Sequence, residues 1–306
     1  MSEQHEPMPE MAPQPATDHT GALRLGIVPL RPLKLGDILS GAWQALRLNA
    51  GALVGVSLLV TAASEVLTRL IAGASASSAT QVVTSTAVDS TKVNWSGLWS
   101  LLGSFGLLIV IIGLFSVVIS GVVNVVVPRA VFGHGTSASA ALRGLRPSVG
   151  KLIGVSLLSW LVYLLIGAIA VFGIVATGQS GSLLVLPVFG IIAYLATAWS
   201  FAPSVAVVEG LGPAEALARS KSLVHAVGWW RVFGYMALVG AMTGLVLGAL
   251  TALLATVTHD NGAVDAVVTI LATTVITPFT QTVQTLLYVD HRARTEGIEG
   301  LWRVAG

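Results

Sequence analysis

The segment GPAEALARSKSLVHAVGWWRVFGY, residues 212 to 235, contains the side-chain types from which a hydrolytic site can be built. These side chains are Glu215, Ser220, Lys221, Ser222 and His225. A serine acts as a nucleophile only when an oriented base shares its pocket. Pro213 at a first helical position and the apolar face of residues 213–226 instead favour an interfacial helix, and Trp229 and Trp230 mark the membrane boundary. We therefore expect no catalytic residues in this segment.

Other motifs that carry chemistry are incomplete. The chain has no cysteine, and its six histidines stand singly. GHGTSA at 133–138 fits G-x-G-x-x-A, but it follows a transmembrane run and not a short strand, so it does not predict a dinucleotide site. GLRPSVGKL at 144–152 has one residue too many between its glycines for a phosphate-binding loop. We therefore expect no enzyme activity, no metal and no cofactor. A membrane-embedded hydrolase stays a third alternative, and it would require Glu209, Asp290 and a histidine to lie together at one end of the protein.

The composition is that of a membrane protein. Charged residues make up only 10% of the 306, against about 25% in soluble domains, and the mean hydropathy is +0.84. A helix needs about 20 apolar residues to cross a bilayer. Six such segments predict an all-α integral membrane protein with six transmembrane helices. They are residues 50–71, 99–127, 152–176, 182–206, 229–257 and 264–288.

The basic residues predict the orientation. Fourteen of the sixteen lysines and arginines fall on one side of the six spans, and only Arg69 and Lys92 fall on the other. The positive-inside rule therefore places both termini in the cytoplasm. It also explains the basic pI without a nucleic-acid partner. Residues 1–30 lack an apolar core and predict a disordered cytoplasmic tail, which leaves 31–306 as the membrane domain.

An internal repeat organises the membrane domain. Residues 39–59 and 138–158 are identical at eleven of twenty-one positions. Each segment leads from a weakly amphipathic stretch into a span, and residues 212–235 stand in the same place before the fifth span. The pattern predicts three parallel repeats of an interfacial helix plus a helical hairpin. The interfacial helices are expected near 37–49, 137–147 and 213–226, with Asp37 as an N-cap and Glu215 paired with Arg219.

Polar and small residues inside the spans are the remaining candidates. A candidate intramembrane polar site comprises Glu65, Arg69, Thr273, Thr277, Gln281 and Gln284. Because polar groups avoid lipid, we expect the threonine and glutamine face of span six to point into the bundle and Leu271, Val275 and Leu286 to point away. Gly240, Gly244 and Gly248 predict a ridge for close helix packing.

Three segments together resemble a known family. They are RPLKLGDILSGAW at 31–43, PSVAVVEGLGPAEALARSKSLVHAVGWWRVFG at 203–234 and TLLYVDHRARTEGIEGLW at 285–302. This pattern is similar to the glycerophosphoryl diester phosphodiesterase membrane-domain family of bacterial multi-span proteins. The resemblance implies a bacterial plasma-membrane protein. Because no phosphodiesterase barrel follows span six here, it does not imply esterase activity.

Two functions follow as hypotheses. The first is a non-enzymatic accessory or scaffold protein for envelope or lipid-associated machinery. The alternative is a small transporter or lipid-handling protein that uses the intramembrane polar face, and a water-accessible cavity at that face would distinguish it. The lipid bilayer is the expected partner, and a membrane-protein partner or self-association stays open.

Overall fold

The structure, a computed structural model, describes residues 24–25, 28–29, 33–88, 95–131, 134–177, 183, 185–258 and 262–302. Within these residues the chain is almost entirely helical. The strands are β1 Arg24–Leu25 and β2 Val28–Pro29, and the helices are α1 Leu35–Leu48, α2 Ala50–Val88, α3 Trp95–Val131, α4 Ala138–Leu145, a 3₁₀ turn Arg146–Ser148, α5 Val149–Thr177, α6 Val185–Ala198, α7 Ala202–Val208, α8 Pro213–Val227, α9 Trp229–Thr258 and α10 Gly262–Trp302. The strands pair antiparallel within the predicted tail, whose other residues lie outside the described part.

Six segments are long and apolar enough to cross a membrane, as predicted, and they indicate a multi-pass membrane protein. They are Ala50–Ile71, Val110–Val131, Ala138–Gly173, Val185–Val208, Trp229–Leu254 and Gly262–Gly297. The fourth segment differs from the prediction because it is broken. Its first part, α6, ends at Ala198, and α7 begins at Ala202 after a turn at Trp199–Phe201.

Helices occupy the three places predicted for interfacial helices, but their polar contacts differ from those expected. In α1 the N-cap is Lys34, and Asp37 accepts the Lys34 N–H at 3.0 Å. In α8, Glu215 accepts the N–H of Gly212 at 3.2 Å and does not pair with Arg219. Both carboxylates therefore satisfy free N–H groups at a helix start, which a residue in the first turn reaches easily.

The last helix lies at the centre of the bundle. It contacts α1, α2, α3, α8 and α9. Thr282, Val283, Thr285 and Leu287 are all almost inaccessible. Leu286, expected to face outward, is fully buried. The prediction was wrong for Leu286 because α10 is surrounded by other helices at this level, so the helix has no outward face there.

Small residues mediate close packing, but not at the predicted ridge. Gly240, Gly244 and Gly248 are exposed, and no atom lies within 4 Å of a β-carbon built on any of them. The predicted contact is therefore not made within the described chain, because this face of α9 points away from the bundle. Instead a β-carbon at Gly154 of α5 would lie 2.5 Å from the ring of Pro213, which shows how closely α5 meets the start of α8.

Candidate functional site

A cavity of about 200 Å³ lies among α3, α5, the broken fourth segment and α10. Its lining residues are Ser116, Val117, Ser120, Leu152, Ser156, Tyr163, Ala196, Trp199, Ser200, Pro203, Gln281 and Gln284. Hydroxyl and amide groups predominate, and no lining side chain carries a charge. A polar cavity between apolar helices differs from ordinary bundle packing, which is dry and built from small and apolar residues.

One hydroxyl of the cavity is buried without a partner. The Oγ atom of Ser200 makes no hydrogen bond to any residue that the structure describes, although Ser200 is only 8% exposed. Leaving a buried hydroxyl unsatisfied costs about 1–3 kcal/mol. The cost is avoided when a polar molecule in the cavity bonds to it. A water molecule or another polar molecule in the cavity beside Ser200 can satisfy this hydroxyl.

Side chains from α8 and α10 form hydrogen bonds with the backbone at the break in the fourth segment. Ser220 of α8 donates to the carbonyl of Ala198 at 2.8 Å and accepts the N–H of Phe201 at 3.1 Å. Gln284 of α10 donates its amide N–H to the carbonyl of Ser200. These bonds satisfy backbone groups that the interrupted helix releases. Non-helical backbone at membrane depth is tolerated where it is buried in protein or lines a cavity, and this break does both.

The structure divides the predicted intramembrane polar site. Gln281 and Gln284 line the cavity. Thr273 and Thr277 are half-buried and lie outside it, and the Thr273 hydroxyl donates to the carbonyl of Thr269 in its own helix at 2.7 Å. Leu271 and Val275 are exposed, as expected.

Glu65 and Arg69 lie elsewhere, near the start of α10. Arg69 donates to Glu65 at 2.6 Å and to Asp265 at 2.8 Å, and it also donates to the carbonyl of Gly262 at 3.0 Å. These contacts join α2 to the first turn of α10. Because the arginine and Asp265 are 39% and 42% exposed, this pair is largely solvated and adds little stability. Asp265 was not anticipated from the sequence.

Polar residues also meet where α7 and α10 end and α8 and α9 begin, a region we call the charged end. Its charged residues are Glu209, Arg219, Arg231, Asp290, Arg292, Arg294 and Glu296. Arg219 pairs with Glu209 and Glu296, and Arg292 donates to Glu296 at 2.9 Å. Tyr288 closes a ring, because its hydroxyl donates to Glu209 at 2.9 Å and accepts from Arg292 at 3.2 Å.

A second centre of the charged end is Asp290, which is 3% exposed. One carboxylate oxygen accepts the N–H of Leu33 at 2.9 Å, and the other accepts from Arg231 at 3.0 Å and from Arg294 at 2.9 Å. Arg231 also donates to the carbonyl of Leu33 at 2.9 Å. Three segments far apart in the sequence therefore meet at one carboxylate.

The residues required by the hydrolase alternative lie at this end but do not form one site. Glu209 and Asp290 pair with different arginines. The Nδ1 of His291 lies 2.8 Å from the carbonyl of Leu287, and its Nε2 has no partner among the described residues. No hydrogen bond in the described part joins the three residues, and no three acidic, histidine or cysteine residues there form a group suited to a metal ion.

The serines that line the cavity were not among the site residues predicted from the sequence. Ser116 and Ser120 are four residues apart and share a helix face with Asn124, whose side-chain oxygen accepts from Thr285 at 3.0 Å. This spacing is a detectable signal. Ser200 gives no such signal, since its position depends on the break in the helix. No family model, curated protein or solved structure matches the chain, so its resemblance to the glycerophosphoryl diester phosphodiesterase membrane-domain family stays a prediction from motifs.

Proposed function

We propose that this chain is a non-enzymatic multi-pass protein of the bacterial plasma membrane that binds an uncharged polar molecule, or the polar part of a lipid, in the cavity beside Ser200. The observation that carries the proposal is a cavity lined by hydroxyl and amide groups next to a broken transmembrane segment. Transporters place binding sites at such breaks, where free backbone groups and polar side chains replace water around the ligand. This favours the transporter or lipid-handling alternative.

The chemistry of the lining supports binding without catalysis. The described lining residues include no carboxylate, imidazole or amine that could act as a general base. Gln281 and Gln284 can each donate and accept hydrogen bonds, as can the serine hydroxyls. Such a lining matches a neutral ligand, because a charged one would need a counter-charge at this depth.

The accessory or scaffold function is the second candidate, and the charged end favours it. Its ring and its Asp290 centre join α7, α8, α9 and α10 to the chain before α1. A rigid end of this kind suits a protein that presents a fixed surface to a partner. A scaffold does not require a polar cavity beside a broken transmembrane segment, however, so ligand binding is the better-supported function.

The proposed architecture keeps three parallel units and cytoplasmic termini. The order of a short helix followed by two long segments, seen at α1–α3, α4–α7 and α8–α10, supports the units. Reporter fusions test the orientation. Fusions after Gly178 and Asn261 are expected to report the outside, and fusions after Gly210 and at Gly306 are expected to report the cytoplasm. A C-terminal fusion that reports the outside contradicts both the topology and the repeat.

Thiol labelling tests the cavity. The chain has no cysteine, so single cysteines can be introduced without removing any native residue. A small membrane-impermeant methanethiosulfonate, applied to both faces of vesicles, is expected to label Gln281→Cys and Ser116→Cys, because water fills a polar cavity. Leu271→Cys, exposed at the surface of α10, is the control for a lipid-facing position and is expected to stay unlabelled. Absence of labelling at both cavity positions indicates a dry bundle and favours the scaffold.

A further inference from the structure

Two groups of arginines near helix ends differ in their partners. Those on α8, α9 and α10 all pair with carboxylates. Arg129 at the end of α3, Arg143 in α4 and Arg146 in the following turn are exposed, and none has a carboxylate partner among the described residues. The sequence contains no aspartate or glutamate between Asp89 and Glu209, so no acidic residue near them in the chain neutralises this group. We call Arg129, Arg143 and Arg146 the basic patch.

The fold places Arg129 against the helix that carries Arg143 and leads into Arg146. A β-carbon built on Gly144 would lie 3.8 Å and 3.9 Å from the two terminal guanidinium nitrogens of Arg129, so this side chain lies against α4 at Gly144, the residue after Arg143. Arg143 and Arg146 are three residues apart, a spacing that places side chains on one helix face. The Nε of Arg143 donates only to the carbonyl of Ser139, at 3.3 Å. Like charges collected without a carboxylate repel one another, and an external anion relieves that repulsion.

The patch stands at the level where lipid headgroups lie. Arg129 comes two residues before the end of the apolar segment Val110–Val131. At 1.5 Å per residue, a segment of 22 residues spans about 33 Å, which is close to the thickness of the hydrocarbon layer. Leu142, next to Arg143, is 43% exposed and offers an apolar contact. A soluble anion would use only the arginines, whereas a lipid would use both features.

We propose that the basic patch binds the phosphate headgroup of an anionic phospholipid. Guanidinium groups suit this ligand because they donate paired hydrogen bonds to phosphate oxygens and keep their charge at every physiological pH. The proposal is independent of the cavity, since no patch residue lines it. It also gives the two groups of arginines different roles: the paired group joins helices, and the unpaired group faces the lipid.

Binding of a short-chain phosphatidylglycerol to the purified full chain in neutral detergent tests the proposal. The test variant combines Arg129→Gln, Arg143→Gln and Arg146→Gln. Each cation near an anionic headgroup contributes about fivefold in affinity, so loss of three is expected to weaken binding on the order of 100-fold. Lys221→Gln, an exposed residue of α8 outside the patch, is the control for net charge and is expected to change affinity by less than about twofold.

Two further measurements identify the ligand and control for misfolding. Phosphatidylcholine of the same chain length is expected not to bind, and millimolar inorganic phosphate is expected not to displace phosphatidylglycerol. A triple arginine-to-lysine variant keeps the charge and is expected to retain most of the affinity. It takes the place of the glutamine variant in the binding assay if that variant does not fold. Unchanged binding after loss of the patch overturns the proposal. So does an equal loss in Lys221→Gln, or displacement of the lipid by free phosphate.

Discussion

Asp290→Asn is expected to loosen the charged end because it removes a charge while keeping the shape of the side chain. The carboxylate accepts hydrogen bonds from Leu33, Arg231 and Arg294 at 2.9–3.0 Å. An asparagine oxygen can still accept the N–H of Leu33. Its amide group, however, presents N–H donors to two arginines that are themselves donors, so both charged contacts are lost.

The burial of the partners sets the size of the effect. A hydrogen bond to a charged group contributes about 1.5–3 kcal/mol. Asp290 is 3% exposed, but Arg231 and Arg294 are 23% and 30% exposed. Water can therefore solvate the two guanidinium groups in the variant, which offsets part of the lost stability. Taking the lower figure for each of the two arginine contacts gives a loss of about 3 kcal/mol in the free energy of unfolding. For a chain of 306 residues this lowers the midpoint of thermal unfolding by about 5 °C.

Asp265→Asn provides the matched control. It makes the same substitution in the same helix and removes an ion pair with Arg69 at 2.8 Å, but Asp265 is 42% exposed. An exposed ion pair contributes less than about 1 kcal/mol, so the midpoint is expected to fall by no more than about 2 °C. Thermal unfolding of detergent-solubilised protein, followed by size exclusion, measures both variants. Equal shifts for the two variants would refute the reasoning, because they would show that burial does not govern these ion pairs.

Three further predictions concern packing. Ser220→Ala removes both bonds that hold the break in the fourth segment and is expected to cost about 1–3 kcal/mol, whereas Ser222→Ala, at an exposed position, is expected to lie within about 0.5 kcal/mol of the native chain. Gly154→Ala is expected to lower stability by about 1–3 kcal/mol because its methyl group would strike the ring of Pro213, while Gly167→Ala in the same helix has open space and is expected to be neutral or stabilising. Gly244→Leu is expected to be tolerated by the isolated chain, since nothing lies within 4 Å of that position; loss of folded protein would instead show that the ridge packs against a second molecule. Yields of folded protein and unfolding midpoints decide all three.

The long helices were predictable because the bilayer imposes a length and an apolar composition on each of them. The cavity was only half predictable. Gln281 and Gln284 are conspicuous as polar residues in an apolar segment, but no pattern in residues 185–208 predicts the turn at Trp199–Phe201. That turn depends on Ser220 and Gln284, which come from distant segments. Local patterns could not show these contacts.

The charged contacts illustrate the same limit. The spacing of Glu215 and Arg219 predicts an ion pair within one helix, yet Arg219 pairs with Glu209 and Glu296. A contact within a helix contributes only about 0.3–0.5 kcal/mol. A tertiary arrangement that pairs several partly buried charges therefore stabilises the protein more than the single contact within the helix would. Likewise, the glycine spacing in α9 shows that close packing is sterically allowed, but it does not show which helix, if any, approaches.

The bond between Leu33 and Asp290 has a consequence for biogenesis. The two residues are separated by 257 positions, and the ribosome adds about 5–20 residues per second. The first helices therefore wait roughly 15–50 s for the carboxylate that fixes their approach to the membrane. Arg231 is synthesised 59 residues before Asp290, so for roughly 3–12 s at the end of that interval it lacks the partner that later neutralises it. Insertion of the helices and closure of the bundle are thus separate events, and translation of the final helix sets the earliest moment at which the nascent protein can reach its native state.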